Sequence, residues 1–177
     1  DAFRCDVPNL STSLYFVVND SFYTRQLPQA HLPEGVIVDS LCRVAATQPQ
    51  LVEPYYGRLA QTGADALVAL NTMLAQDGLF IYVPRHVRMD RTVQIINILR
   101  SDVDLMVNRR VLIVVEQGAE ARFLFCDHAA DDRRFLATQV IEAYVGDNAS
   151  LDLYCMEETH IRNTRTSNVF FEQQANS

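Results

Sequence analysis

Apolar positions along the chain follow two different rhythms, and the change falls at Asp77-Gly78. Before that point, strand-like and helix-like spacings are mixed. Leu14–Val18 and Phe22–Tyr23 flank Asn19-Asp20-Ser21, which predicts a strand, a turn and a second strand. A loop with Pro28, Pro33 and Gly35 follows, then a short strand at Val36–Val38. Leu41, Val44 and Ala45 fall at i, i+3 and i+4, predicting a helix from Asp39 or Ser40 to about Thr47, ended by Pro49. A second helix is expected near Glu53–Ala60, opening around Pro54, where the missing N–H costs nothing. Thr62 and Asp65 have the form of a capping box for a third helix reaching about Gln76, with Leu67, Leu70 and Leu74 on one stripe.

From Leu79 onward the pattern is short β-type runs separated by turns: 79–83, 93–99, 111–116, 121–126, 138–145, 150–156 and 167–172. Two stretches repeat each other. The run from Val111 to Phe125 aligns with that from Val140 to Cys155 when Ala119 is set on Ala149, which fixes the period of the repeat. In each copy an apolar strand meets a turn, an Ala, and then an alternating strand. A unit recurring at a fixed interval points to a solenoid, and two strands per unit without a helix fit a parallel β-helix. An antiparallel sandwich or jelly roll also shows many short strands and stays open on periodicity alone. In the alignment Arg122 and Asp152 share the outward set, while Phe123, Phe125, Leu151, Leu153 and Cys155 share the inward one. Cys155 is therefore expected inside, with Cys126 on the opposite face.

Composition narrows the chemistry. At 177 residues the chain makes one ordinary domain, or one with a small appendage, and needs no staples to hold a core. No apolar stretch approaches the roughly 20 residues that span a bilayer, and the best run, Val111–Val115, is strand-sized. The chain opens on Asp1, as a processed or excised piece would, and no secretory leader is recognisable. The expectation is a cytoplasmic protein without a membrane partner. Cys5, Cys42, Cys126 and Cys155 form no Cys-x-x-Cys and are expected to be reduced. A net charge of −7 argues against a nucleic-acid partner. All fifteen basic residues are Arg, so lysine-based catalysis and the phosphate-cradling Gly-Lys-Ser/Thr loop are excluded within this sequence.

The block from Ala69 to Pro84, ALNTMLAQDGLFIYVP, followed by Arg85-His86-Val87, resembles the signature of the SufB/SufD family of iron–sulfur cluster assembly proteins. Thr92-Val93-Gln94 stands where that family usually has Pro-Ile-Gln. Leu32–Val36, Leu51–Gly57, Arg110–Ala119 and Glu142–Ala149 are also similar to family segments, so the resemblance covers most of the chain from about His31, closest to the SufD branch. It implies a mainly β fold, a right-handed parallel β-helix preceded by a small helical or mixed region. Each coil would hold two strands in about 30 residues, a repeat length within the solenoid range. Residues 1–76 would form the mixed N-terminal region and 77–177 a partial β-helix truncated at its C-terminus. The resemblance further implies a non-catalytic scaffold subunit that contacts a SufB-like subunit and a SufC-like ABC-type ATPase. The iron–sulfur cluster would be handled by the full complex, with no cofactor in this chain. The family's cluster-related residues lie in later coils, so no catalytic, cofactor-binding or metal residue is assigned here.

The remaining candidates have plainer readings. Asp127-His128 with Asp131-Asp132, and Glu157-Glu158-Thr159-His160, carry metal-ligand types but read as solvated acidic turns. Arg85, His86, Arg88 and Arg91 read as surface ion pairs or a subunit contact. Asn71 and Asp77-Gly78 read as structural, with Gly78 permitting a sharp helix-to-strand turn. The functional alternative is a carbohydrate-active β-helix enzyme or a ligand-binding β-helix module, weakened by the absence of Trp and Lys from any groove. An uncapped solenoid edge is also expected to self-associate, a homodimer being the simplest form.

Overall fold

A computed structural model describes residues 13–24 and 32–177. Cys5, Pro28 and His31 lie outside the described residues. Among the described residues ten strands dominate: β1 (Ser13–Val18), β2 (Ser21–Phe22), β3 (Ile37–Ser40), β4 (Leu79–Val83), β5 (Val93–Leu99), β6 (Leu105–Val115), β7 (Glu120–Ala129), β8 (Phe135–Val145), β9 (Ser150–Glu158) and β10 (Thr164–Gln173). Two helices, α1 (Leu41–Thr47) and α2 (Ala66–Leu74), and a 3₁₀ turn at Pro49–Leu51 sit between β3 and β4.

The strands make two sheets, ordered β2-β1-β5-β7-β9 and β10-β8-β6-β4-β3. From β4 onward the chain alternates between them, and every pairing among β4–β10 is parallel. This is a parallel β-solenoid with two strands per coil, not a sandwich of antiparallel sheets. Val93 lies opposite Phe123, Glu120 opposite Ser150 and Leu105 opposite Phe135. In each case the coil step is 30, the same as between the hydrogen-bonded Arg122 and Asp152. The step is 32 from β4 to β6, where Leu79 meets Val111, and 28 from β8 to β10, where Leu136 meets Thr164. At the N-terminal end the two sheets finish on antiparallel partners, the β1–β2 hairpin and β3.

The alternation along β6 explains its unbroken apolar run. Val111, Ile113 and Val115 point into the space between the sheets, while Leu112 and Val114 point out under α1 and its flanking turns. A strand covered on both faces reads as continuously hydrophobic. The inner core continues through Ile81, Ile95, Phe123, Phe125 and Ile141.

Among the described residues the coil corner recurs four times. Val87 N–H donates to Pro84, Ala119 to Glu116, Ala149 to Gly146 and Ser177 to Gln174, always from the last position of the turn to the first. The third residue of each turn has positive φ: His86 at 61°, Gly118 at 67°, Asn148 at 55° and Asn176 at 57°. That is the type II arrangement, which favours Gly or Asn at this position. The spacing of these corner residues repeats the steps of the strands, so corner and ladder keep one register.

Three expectations need correction. No helix forms over 53–60; the segment is a series of turns. Gly57 takes φ of 73°, and the N–H groups of Gly57, Leu59 and Ala60 go to the side chain of Glu142 instead of to a helix ladder. The third helix starts later than its capping box suggested: Asp65 is itself the N-cap, accepting from Leu67 and Val68 N–H, and the helix ends at Leu74. Its buried face carries Val68 and Asn71, whereas Leu67 and Leu74 are exposed. Cys155 does lie in register with the inward Phe125, yet it is exposed, because burial there needs another coil stacked on β9.

Candidate functional site

The charged residues outside the solenoid pair from coil to coil. Arg85 reaches Glu116 at 3.4 Å, Arg88 reaches Glu120 at 3.2 Å, Arg122 reaches Asp152 at 3.0 Å and Arg134 reaches Asp104 at 2.6 Å. Each is an exposed pair worth about 0–1 kcal/mol, so the set contributes more to register than to stability. Arg134 nonetheless holds the Asp104 carboxyl below its usual range through side-chain and backbone hydrogen bonds. The basic cluster 85–91 is thereby engaged with its neighbours: Arg91 faces Asp90 at 4.0 Å, and His86 is a left-handed corner residue.

Beneath α2 the outward face of the β4–β6–β8 sheet carries a buried polar lock. Glu142, fully buried, accepts from Arg110 Nη2 at 2.7 Å and from the N–H groups of Gly57, Leu59 and Ala60 at 2.9, 2.9 and 3.0 Å. Arg110 also donates to Thr72 Oγ1 at 2.9 Å and lies over the Tyr56 ring, 4.8 Å from its centroid. One carboxylate thus ties the 53–60 segment to the sheet. Asn71 adds a second tie, donating to the Arg109 carbonyl at 3.0 Å and to Thr138 Oγ1 at 2.9 Å.

Asp77 works the same way at the helix exit. It accepts from Ser40 Oγ at 2.8 Å and from the N–H groups of Phe22 and Cys42 at 3.1 and 3.2 Å. Gly78 is required by proximity, since a Cβ there would sit 2.3 Å from the Arg110 carbonyl oxygen. The structural reading of Asn71, Asp77 and Gly78 is the one the geometry carries. Arg110 and Glu142 were not singled out in the sequence. The available signal was a charged residue set into an otherwise apolar strand, as in Arg110-Val-Leu-Ile-Val-Val and Val-Ile-Glu142-Ala-Tyr.

The acidic candidates do not converge. Asp127 points inward and is held by Arg109 and, at 3.0 Å, by Arg165. His128 points outward, 3.5 Å from Glu158. Asp131 accepts from Ser101 N–H at 2.9 Å and from Arg133 N–H at 3.2 Å, while the exposed Asp132 is 3.9 Å from His160. Among the described residues no three His, Cys, Asp or Glu side chains gather as a metal site. Burial pushes the Arg109 guanidinium down from its ordinary value, opposed by Asp127. Burial likewise pushes up the thiols of Cys42, with help from Asp77, and of Cys155. Cys126 faces outward beside Leu124 and is disulfide-bonded, unlike the four reduced thiols expected. Among the described residues no helix is long and apolar enough to cross a membrane.

Stacked two-strand coils, a repeated left-handed corner and a helical flank locked down by Glu142 define a parallel β-solenoid with an N-terminal α/β cap. Residues 1–95 match the profile of the SufBD protein N-terminal region, and 97–177 match that of the SUF system FeS cluster assembly, SufBD core domain. The chain belongs to the SufBD family. It is 27% identical over 148 residues to the iron–sulfur cluster assembly protein SufD of Bacillus subtilis, covering 82% of this chain and 34% of that protein. It is 28% identical over 118 residues to the SufBD family protein ABCI9 of Arabidopsis thaliana, covering 66% of this chain and 25% of that one. A Synechocystis SufBD family protein, slr0074, is 29% identical over 119 residues, covering 67% and 25%. The chain therefore spans about a quarter to a third of the length of these curated relatives.

Proposed function

We propose that this chain serves iron–sulfur cluster assembly as a non-catalytic scaffold segment in the cytoplasm, working through contacts with a SufB-like subunit and a SufC-like ABC-type ATPase. The observation that carries the reading is how its reactive-looking side chains are used. Arg85, Arg88, Arg109, Arg110, Asp127 and Glu142 are each bonded to a neighbouring coil or to the helical flank. Such residues build a stiff platform, and the chemistry then belongs to what docks on it.

The sequence carries no Lys and hence no phosphate-cradling Gly-Lys-Ser/Thr loop, so nucleotide turnover falls to the ATPase. The cluster is cargo of the assembled complex, and this chain supplies it with no ligand. Val169 and Phe171 on β10 stand 42% and 50% exposed, an apolar face that can take either a further coil or a partner. The edges of β9 and β10 beside them can pair with a further strand.

Co-purification of the intact protein with a SufC-like ATPase and a SufB-like subunit tests the reading. Stable ternary complex is expected; failure to bind either partner in a clean reconstitution overturns it. Iron and sulfide should colour the full complex and leave this chain alone colourless. Visible absorption bands on the isolated chain would contradict the cargo assignment.

A further inference from the structure

The sequence holds four cysteines, and two of them, Cys42 and Cys155, are free thiols. Cys126 is disulfide-bonded, so the count leaves Cys5 as its partner. Neither free thiol is placed to compete. Cys155 stands in register with the inward Phe125, whereas Cys126 faces outward beside Leu124. Cys42 opens α1 on the other sheet, its thiol donating to the Gln76 carbonyl at 3.1 Å. Disulfides in a cytoplasm are mostly transient or redox-sensing, unlike the permanent ones of secreted proteins.

The surroundings of Cys126 suit a bond that opens. Gln94 and Ile96 on β5 stand opposite Leu124 and Cys126 on β7, and all four side chains are buried on the outward face of their sheet. Cys126 is fully buried, so a reductant in solution does not reach its sulfur directly. Gln94 Nε2 donates to that sulfur at 3.3 Å. A donor there stabilises the thiolate that forms when the sulfur leaves, and a stabilised thiolate leaves faster. The link is also within reach. Ser13 stands opposite Val93, and Val93 opposite Phe123, so β1 opens two strand spacings from β7. Cys126 is therefore about 10 Å sideways and about 10 Å along the strand from Ser13. The stretch from Cys5 to Ser13 spans about 25 Å when extended, which is ample.

We propose that Cys5 and Cys126 form a reducible clasp that ties the chain ahead of β1 to the outward face of β7. A thiolate of a dithiol reductant attacks the Cys5 sulfur and forms a mixed disulfide with it. The bond between Cys5 and Cys126 breaks, and Cys126 leaves with the electron pair as a thiolate beside Gln94, then takes a proton from water. The reductant's second thiol closes on its first sulfur and releases Cys5. The protein disulfide is thus reduced to two thiols, and the dithiol is oxidised to its own disulfide. Opening the clasp unties the N-terminal stretch and gives access to Cys126. The inference rests on these thiols and on the cytoplasmic reading, and is independent of the assembly role.

The probe is dithiothreitol on the intact protein kept in air-saturated buffer. After denaturation, iodoacetamide should label Cys42 and Cys155 before reduction and Cys5 and Cys126 only after it. Peptide mass mapping should find Cys5 joined to Cys126. A Cys126 that labels without reduction, or that is joined to another cysteine, overturns the proposal. In glutathione buffers the bond should open at the thiol-rich ratios of a cytoplasm. A bond that stays closed there is a permanent staple, which overturns the clasp and leaves cluster assembly untouched. In the reduced native protein Cys126 should take iodoacetamide; one that stays unreactive overturns the release. Gln94→Met removes the donor at similar volume, so native reduction should slow about two- to tenfold, while reduction in urea keeps the wild-type rate. Equal native rates would overturn Gln94 as the positioning residue. Should Gln94→Met fail to fold, the mass mapping and the glutathione titration of the wild type decide the matter.

Discussion

Replacing Glu142 with Ala should release the helical flank from the solenoid. In the native fold its carboxylate accepts one guanidinium and three backbone N–H groups while fully buried. Hydrogen bonds to a charged acceptor contribute about 1.5–3 kcal/mol each, but four on one group are not additive. Removing one partner of a buried ion pair costs about 3–5 kcal/mol, because the other charge is left behind, and that is the figure expected here. In a chain of this size each kcal/mol moves Tm by about 2–4 °C, so the drop is about 6–20 °C. Arg110→Ala leaves the carboxylate its three N–H donors and should cost less. Glu142→Gln keeps the volume and one carbonyl acceptor, for a loss of about 1–3 kcal/mol. Urea unfolding gives the energies, and amide exchange gives the location: Gly57, Leu59 and Ala60 should exchange faster in Glu142→Ala while β5 and β7 do not. A loss under about 1 kcal/mol for Glu142→Ala, or a larger loss for Arg110→Ala, would refute the lock.

Three further outcomes are expected. Gly78→Ala drives a Cβ to 2.3 Å from the backbone oxygen of Arg110, and since neither backbone can yield cheaply the variant should lose about 1–3 kcal/mol in urea unfolding; an unchanged midpoint would contradict the close approach. The Tyr144 hydroxyl is pushed up to about 12, by burial first and then by Glu142. Its folded pKa exceeds the unfolded value near 10, so its contribution to stability is complete below about pH 10 and is lost as pH rises toward about 12. Phenolate absorbance at about pH 11 should be the same in wild type and Tyr144→Phe, because Tyr144 is still protonated there; a deficit of one phenolate in the variant would show otherwise. Finally, residues 1–177 prepared alone expose Val169 and Phe171 and should self-associate through them, seen as a weight-average mass rising with concentration in sedimentation, and Phe171→Lys should reduce it. A strictly monomeric wild type at high concentration would count against that surface.

What could be read from the sequence was whatever each coil repeats. The step between Ala119 and Ala149 is the true register of both sheets over two coils, and the inward set Phe123, Phe125, Leu151 and Leu153 follows from it. Less legible were features that depend on a partner distant in sequence. Residues 53–60 have helix-compatible spacing, yet their N–H groups are claimed by Glu142, a helix and four strands further along the chain. The stripe Leu67, Leu70, Leu74 lost to Val68 and Asn71 for a similar reason: α2 turns toward Arg109 and Thr138, which offer Asn71 hydrogen bonds. Cys155 shows the limit of a periodic argument. Its direction is set by alternation, but its burial depends on what stacks against β9.

The corners carry this logic one step further. Only two of the four turns were visible as a repeat, because the alignment matched apolar strands and an Ala, whereas the common element is a backbone angle. His86, Gly118 and the asparagines Asn148 and Asn176 have no side-chain chemistry common to all four; they share the left-handed region, which Gly enters freely and Asn and His more readily than other residues. At Gly118 the fit is also steric, since a Cβ would lie 2.4 Å from the His86 ring of the preceding corner. The glycine therefore makes room for the histidine stacked against it, and the histidine in a basic, catalytic-looking cluster is one rung of a corner column. A residue type that suggests acid–base chemistry in a linear reading acquires here a conformational role, through its place one coil before a glycine at the same position of the turn.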